Sequence, residues 1–167
     1  SGPYFYLPKI EHYLECRLLN DVILFCEKKL NLEIGTVKVT VLIETINAVF
    51  QMNEFLWELK DHIVGLNAGR WDYLFSYQKV YRNTKKVILP DRSKVTMFVP
   101  FMSNYNKLLV DTCHRRGAFG MGGMSAQVIA KSNPKEINEK ALVGVIKDKE
   151  RELNQGNDGA WVAHPSL

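Results

Sequence analysis

Apolar residues follow two different spacings along the chain, and the alternation predicts strands connected by helices. Short apolar runs bounded by polar or glycine-rich segments indicate strands, whereas apolar spacings of three and four residues indicate helices. The strand-like runs are Tyr4–Lys9, Val37–Glu44, Ile63–Leu66, Ala118–Met124 and the terminal segment AWVAHPSL. We therefore predict an α/β protein of about four to five β/α units with parallel strands.

The second and third strand-like runs each lead into an acidic residue. Glu44 ends one run, Asp72 follows the next, and a helical pattern with apolar residues at three- and four-residue spacings fills Ile46–Leu59 between them. In a βαβ unit the two strands are parallel and usually adjacent, so their carboxyl ends lie at one edge of the sheet. We expect Glu44 and Asp72 to face each other across a single cleft, the edge at which such folds bind ligands.

Two carboxylates without a neighbouring His or Cys suit a hard cation. Mg²⁺ typically takes one or two protein carboxylates and completes its coordination with water and substrate oxygens. The plainer interpretation is that Asp72 caps a helix and Glu44 is solvated. The shared edge of the sheet favours the metal site over this alternative.

Glycines surround the second strand end. Gly65 and Gly69 flank small residues, which would let a ligand approach the main chain, and backbone N–H groups at the following turn could bind a carboxylate or phosphate. A metal and these amides together would hold a small 2-oxo acid. The alternative is that the glycines serve only to reverse the chain.

The segment KDHIVGLNAGRWDYLF, residues 60–75, resembles the signature of the malate synthase family. Six further segments resemble parts of the same family in the same order: SGPYFYLPKIE, TVLIET, LPDRSKVTM, TCHRRGA, GGMSAQ and DGAWVAHPSL. The resemblance implies a (β/α)8 TIM barrel. It also implies an acyltransferase of the glyoxylate cycle, which condenses acetyl-CoA with glyoxylate and hydrolyses the thioester to malate and CoA, with Mg²⁺ as cofactor.

The resemblance also implies roles for particular residues. It places the metal ligands at Glu44 and Asp72, and the acetyl-CoA contacts at Met124, Trp161, Val162 and Pro165. For Trp161, a core aromatic at a strand end is an equally good interpretation. The glyoxylate-binding residues that it implies are Gly69, Arg70, Trp71 and Asp72.

The chain is short for such an enzyme. A complete barrel typically needs about 250 residues, whereas this chain has 167. The resemblance places the catalytic base, an Asp, after AWVAHP, and an enolate-stabilising Arg before SGPYFYLPK, so we assign no catalytic residue within residues 1–167. We expect a single segment from the central part of the barrel, without the N-terminal part and the C-terminal domain, and inactive by itself.

Composition and charge limit the classes of partner that the chain is expected to bind. With 46% hydrophobic and 24% charged residues, the sequence is typical of a globular protein, and no apolar run approaches the roughly 20 residues of a membrane span. The net charge is +4, but the basic residues are dispersed, and the densest group, in Tyr81–Lys94, is interpreted as a solvated loop. We expect acetyl-CoA and glyoxylate as partners, and neither nucleic acid nor membrane.

Cysteine usage bears on the compartment. Cys16, Cys26 and Cys113 lack the spacing of metal ligands or of a disulfide framework, which predicts reduced thiols. We expect an intracellular protein, and the resemblance allows a cytoplasmic or a peroxisomal or glyoxysomal location.

Two other functions stay open from the sequence. Citrate-lyase β-type aldolases share the pattern of a Mg²⁺-bound 2-oxo acid held by Glu and Asp at barrel-strand ends, although the GLNAGRWDY block argues against them. A non-catalytic scaffold that retains metal and ligand affinity is the second alternative.

Overall fold

The computed structural model describes residues 2–125, 129 and 133–162. The described chain alternates strands and helices, and every strand-like run of the sequence contains a strand. A 3-10 turn at Lys85–Val87 interrupts the long loop after the fourth helix. The strands are β1 (Tyr4–Leu7), β2 (Lys38–Ile43), β3 (Ile63–Ala68), β4 (Phe119–Ser125) and β5 (Gly159–Val162). The helices are α1 (Tyr13–Lys29), α2 (Ile46–Val49), α3 (Met52–Glu58), α4 (Arg70–Tyr81), α5 (Pro100–Arg115) and α6 (Lys135–Asn154).

The five strands form one parallel sheet in the order of the sequence. In a flat sheet, four strand spacings would separate the two edge strands by about 19 Å. Instead, the rings of Tyr6 on β1 and Trp161 on β5 have centroids 4.5 Å apart. The sheet is therefore strongly curled, and the predicted partial TIM barrel is confirmed as a half-barrel of five strands.

Alternation along β2 separates the two faces of the sheet. Val39, Val41 and Ile43 are buried in the main hydrophobic core, which Phe55 and Leu59 also join. Because successive strand residues point to opposite faces, Leu42 faces the inside of the curl, and it lines a cavity there. The same alternation carries Glu44, two residues later, towards that inner face.

The prediction of one helix over Ile46–Leu59 is wrong in one respect, because two short helices, α2 and α3, occupy this segment. The chain leaves helical geometry at Gln51, where φ is −127°. The Gln51 side chain accepts a hydrogen bond from the Tyr13 N–H and donates one to the Glu11 carbonyl. These contacts connect the start of α1 to Gln51. They stabilise the interruption between α2 and α3, although the apolar spacing continues through it.

The outer face of α1 is apolar. Its stripe of Leu14, Leu18, Val22 and Phe25 is 47–63% exposed. The opposite face, with Cys16 and Ile23, packs into the core instead. The apolar stripe of α1 therefore faces away from the core.

A buried polar cluster fixes the opposite edge of the sheet, at the amino ends of β2 and β3. The Glu27 carboxylate accepts hydrogen bonds from the N–H groups of Gly35 and Val37 and lies 3.0 Å from His62 Nε2. Burial by itself would raise the pKa of Glu27, but these hydrogen bonds hold it below its usual value. The cluster joins α1 to both strands and leaves the carboxyl edge for other side chains.

Phe55→Ala tests the core. Because Phe55 is 0% exposed, truncation should lower the free energy of unfolding by about 3–5 kcal/mol through lost burial and a residual cavity. Chemical denaturation measures this. Phe50→Ala is the matched control, since Phe50 is 76% exposed and should change stability by no more than about 0.5 kcal/mol. Equal effects of the two substitutions would contradict the packing described.

Candidate metal and oxo-acid site

The two predicted carboxylates lie at one edge of the sheet, as the βαβ argument requires. Residues Ile43 of β2 and Ala68 of β3 are partners in the parallel register. Glu44 follows the first strand directly, and α4 begins at Arg70 after the second, which places Asp72 in its first turn. The carboxylates of Glu44 and Asp72 are close enough to perturb each other's ionisation.

Gly69 is explained by space rather than by turn geometry. Its φ of −113° is accessible to any residue. A Cβ at this position, however, would lie 2.7 Å from Glu44 Cβ. The glycine lets the two strand ends approach each other, so the interpretation that it serves only chain reversal is wrong.

A cavity of about 180 Å³ lies at this edge, inside the curl. It is small beside the roughly 300–1,000 Å³ of pockets for drug-sized ligands, which suits a small acid. Of the described residues predicted for the site, Val162 is outside the lining and is 42% exposed. Pro165 lies outside the described residues. The lining comprises Tyr6, Leu42, Glu44, Asn67, Ala68, Gly69, Arg70, Trp71, Asp72, Met124 and Trp161.

Lys9 bridges the two carboxylates. Its Nζ lies 2.6 Å from Asp72 Oδ2 and 3.4 Å from Glu44 Oε2, and its backbone N–H donates to Glu44 Oε1 at 2.7 Å. Lys9 follows β1, so a third strand end contributes to the site. Lys9 was not among the residues predicted for the site, although it ends the strand-like run Tyr4–Lys9 as Glu44 ends the next one.

Burial and charge set the ionisation of the pair. Burial, followed by the neighbouring Asp72 carboxylate, raises the pKa of Glu44 above its usual value. The hydrogen bond from Lys9 lowers the pKa of the more exposed Asp72. A cation bound between the two carboxylates would favour their ionised forms, because a nearby opposite charge stabilises the charged state.

These two side chains fit a divalent cation of the Mg²⁺ type. The ammonium of Lys9 already contacts one oxygen of each carboxylate, so a single positive centre can bridge them. Within the described residues no group of three or more His, Cys, Asp or Glu side chains forms a candidate metal cluster. A cation held by Glu44 and Asp72 would need further oxygens from water or substrate, as Mg²⁺ commonly does.

Tyr105 closes the strand ends from α5. Its hydroxyl donates to the Ile43 carbonyl and accepts a hydrogen bond from the Gly69 N–H at 2.9 Å. Its ring stacks on Tyr73 of α4, with centroids 4.2 Å apart. Burial raises the pKa of Tyr105 far above its usual value, so the hydroxyl remains protonated. A tyrosine on the apolar side of a helix carries no sequence signal for this role.

The start of α4 supplies hydrogen-bond donors. The first N–H groups of a helix have no partner within it, and in α4 the first N–H to bond the preceding turn is that of Tyr73, to the Gly69 carbonyl. The Arg70 guanidinium is directed elsewhere: it donates to the Val95 carbonyl at 2.8 Å and lies 4.2 Å from the Trp71 ring centroid. The Arg70 guanidinium is thus already engaged, whereas the first N–H groups of α4 remain as candidate donors at the cavity.

A hydrogen-bonded chain crosses the inside of the curl. The Tyr6 hydroxyl donates to Asn67 Oδ1, and Asn67 Nδ2 donates to the Gly122 carbonyl. Trp161 packs on the Tyr6 ring. These contacts join β1, β3, β4 and β5, and three of the residues, Tyr6, Asn67 and Trp161, line the cavity.

The chain is similar to malate synthases along essentially its whole length. The family described as "Malate synthase, TIM barrel domain" matches residues 1–167. The chain is 56% identical to malate synthase of Dictyostelium discoideum over 100% of its length and 31% of the relative's. It is 55% identical to glyoxysomal malate synthase of Glycine max, with 99% of the chain and 29% of the relative covered. The chain thus spans less than a third of the length of these relatives.

Solved structures share the fold at low identity. A citrate lyase from Burkholderia xenovorans aligns with a TM-score of 0.75 and 19% identity, covering 99% of this chain and 46% of that one. The magnesium/glyoxylate complex of Haloferax volcanii malate synthase gives 0.70 and 13%, covering 97% and 41%. At such identities the likeness establishes the fold alone.

Tyr105→Phe tests the closure of the strand ends. Loss of the hydroxyl leaves the Gly69 N–H and the Ile43 carbonyl without this partner, which should lower the free energy of unfolding by about 1–3 kcal/mol. Hydrogen exchange at the Gly69 amide should become faster. Tyr4→Phe is the matched control, because Tyr4 is 71% exposed. Unchanged exchange at Gly69 would contradict this role for Tyr105.

Proposed function

The chain belongs to the malate synthase family, and from this membership we propose that it forms part of the catalytic barrel of an enzyme that makes malate. The proposed reaction condenses acetyl-CoA with glyoxylate and hydrolyses the resulting thioester to release malate and CoA. The observation that carries the proposal is the cavity in which Glu44, Asp72 and the start of α4 meet. This arrangement would provide a cation site beside main-chain donors for a small acid.

We propose that Glu44 and Asp72 hold Mg²⁺. When bound, the cation would supply a Lewis acid that polarises the carbonyl of glyoxylate. The chain's own contribution is positioning, because Lys9 N–H fixes one oxygen of Glu44 while α4 carries Asp72. Support comes from the burial of Glu44, which is 1% exposed, since a fixed carboxylate does not have to be ordered when the cation binds.

The carboxylate of glyoxylate is assigned to the first turn of α4. Main-chain N–H groups and the positive end of the helix dipole favour an anion there. The N–H groups of Trp71 and Asp72 are the proposed donors. The Gly69 N–H donates to Tyr105, so it can bind glyoxylate only after that hydrogen bond breaks. Otherwise Gly69 and Arg70 contribute by lining the path of glyoxylate to the site.

The acetyl end of acetyl-CoA is assigned to the opposite wall of the cavity. Met124 and Trp161 line it beside Asn67, and Val162 follows on β5. Pro165 completes the set expected from the family resemblance. An apolar wall facing the carboxylates would place the acetyl carbon beside the carbonyl of glyoxylate, which is the alignment that a condensation needs.

The catalytic base and the enolate-stabilising Arg are proposed to lie elsewhere in a longer protein. The relatives are more than three times as long as the matched region, since the chain covers 29–31% of them. We propose that residues 1–167 are one segment from the central part of the barrel. The described half-barrel binds and orients the electrophile, whereas the groups that generate the nucleophile belong to the rest of the enzyme.

The aldolase alternative shares the fold but has weaker support. The citrate lyase aligns at 19% identity, whereas the malate synthases reach 55–56% across essentially the whole chain. The non-catalytic scaffold has no observation in its favour. An assay of the full-length protein for glyoxylate-dependent CoA release, against cleavage of malyl-CoA or citramalyl-CoA, separates the two enzyme functions.

The compartment and remaining partners are also proposals. Within the described residues, no helix combines the length and apolar character needed to cross a bilayer. Cys16, Cys26 and Cys113 are free thiols, which is consistent with a reducing compartment. We propose an intracellular location, cytoplasmic or peroxisomal as in the glyoxysomal relative, with neither nucleic acid nor membrane as a partner.

Glu44→Gln tests the metal site. In the full-length enzyme the substitution should weaken Mg²⁺-dependent glyoxylate binding by at least about 100-fold, because even groups that only orient a ligand cost 10–100-fold. Isothermal titration with glyoxylate at fixed Mg²⁺ measures this. Glu58→Gln is the matched control, since Glu58 pairs with Arg17 away from the cavity. Unchanged binding in the Glu44 variant would remove Glu44 from the site.

The 167-residue chain alone should not turn over acetyl-CoA. Mixed with acetyl-CoA, glyoxylate and Mg²⁺, it should release CoA no faster than the same mixture without protein, because no catalytic base is assigned to it. A thiol reagent measures the release. The full-length enzyme under identical conditions is the positive control, and clear turnover by the short chain would contradict the division of the site proposed here.

A further inference from the structure

Lys9 holds the carboxylate pair in two separate ways. Its backbone N–H donates to Glu44 Oε1 at 2.7 Å, and its ammonium contacts Asp72 Oδ2 at 2.6 Å and Glu44 Oε2 at 3.4 Å. The residue has a φ of +60°, a conformation uncommon outside glycine. The turn after β1 therefore directs the main chain and the side chain of one residue towards the same site.

The two contacts differ in mobility. Glu44 has a side chain only 2% exposed and accepts from the main chain, so its position is fixed by the fold. The Lys9 side chain is 60% exposed and ends a flexible four-carbon stem. The ammonium can leave the carboxylates while the backbone N–H stays in place.

A divalent cation held by Glu44 and Asp72 would compete with the Lys9 ammonium for these carboxylates. Asp72 Oδ2 and Glu44 Oε2 are the atoms that the ammonium contacts, and a cation held by both residues would draw on the same two carboxylates. Two carboxylates in such proximity repel when nothing positive separates them. Either cation relieves that repulsion, but the ammonium and a divalent cation repel each other, so the two compete for the carboxylates.

We propose that Lys9 is an internal counter-cation that competes with the divalent metal for Glu44 and Asp72. Its ammonium keeps the two carboxylates together until the metal displaces it, and its backbone N–H continues to orient Glu44 afterwards. This role rests on the metal site of the proposed function. It predicts that Lys9 lowers metal affinity, the reverse of what a residue that helps to bind the metal would do.

Removal of the Lys9 charge and its replacement by the arginine charge should change the metal affinity differently. In the full-length enzyme, Lys9→Met should tighten Mn²⁺ binding roughly fivefold, comparable with a partly exposed ion pair. Lys9→Arg should leave the affinity unchanged or weaken it, because a guanidinium binds carboxylates bidentately. Titration followed by the electron paramagnetic resonance signal of free Mn²⁺ measures both without relying on activity.

Lys79→Met is the control for the loss of one positive charge. Lys79 lies on α4, as Asp72 does, but about two helical turns further along. It should change Mn²⁺ affinity by less than twofold. If Lys9→Met does not fold, Lys9→Gln removes the same charge with a polar side chain and should tighten binding by a similar factor.

The outcomes separate this inference from the proposed function. If Glu44→Gln abolishes Mn²⁺ binding but Lys9→Met binds no more tightly than wild type or Lys79→Met, the metal site stands and the role of Lys9 is wrong. Weaker binding by Lys9→Met would also overturn it. If Mn²⁺ binding is indifferent to Glu44, the metal site fails and the role of Lys9 fails with it.

Discussion

The parallel register between β2 and β3 is the constraint on which the site depends. Ile43 and Ala68 are partners, so Glu44 and Gly69 emerge side by side from the sheet. Tyr105 joins the two strand ends through the Ile43 carbonyl and the Gly69 N–H. A shift of one residue in β2 would turn Glu44 from the inner face of the sheet towards the helices.

Close approach of the main chain follows from the same register. Gly69 leaves room for the Glu44 side chain, and α4 begins one residue later. The helix therefore starts against a buried carboxylate and presents its N–H groups and Asp72 together. A positive helix end thus lies beside two carboxylates, and the proposed binding of Mg²⁺ and glyoxylate rests on this pattern of charge.

Particular residues show how far the sequence alone could lead. The pairing of Glu44 with Asp72 followed from the order of strand, helix and strand, because parallel neighbours share an edge. The roles of Lys9 and Tyr105 could not be predicted in this way, because a lysine at a strand end and a tyrosine on a helix are ordinary patterns. Gln51 breaks a helix that the apolar spacing predicts to be continuous, and the hydrogen bonds responsible involve residues about 40 positions away.

The sequence by itself determined the α/β class, the parallel strands and the edge at which the carboxylates meet, because periodicity and connection rules act locally and between neighbouring units. The partial barrel was implied by the family resemblance and not by these rules. The tertiary structure decided the rest. The sheet is curled so that Tyr6 contacts Trp161, and the apolar stripe of α1 faces outwards. Lys9 lies between Glu44 and Asp72. Those outcomes depend on packing and electrostatic contacts between residues distant in the chain, which no local pattern encodes.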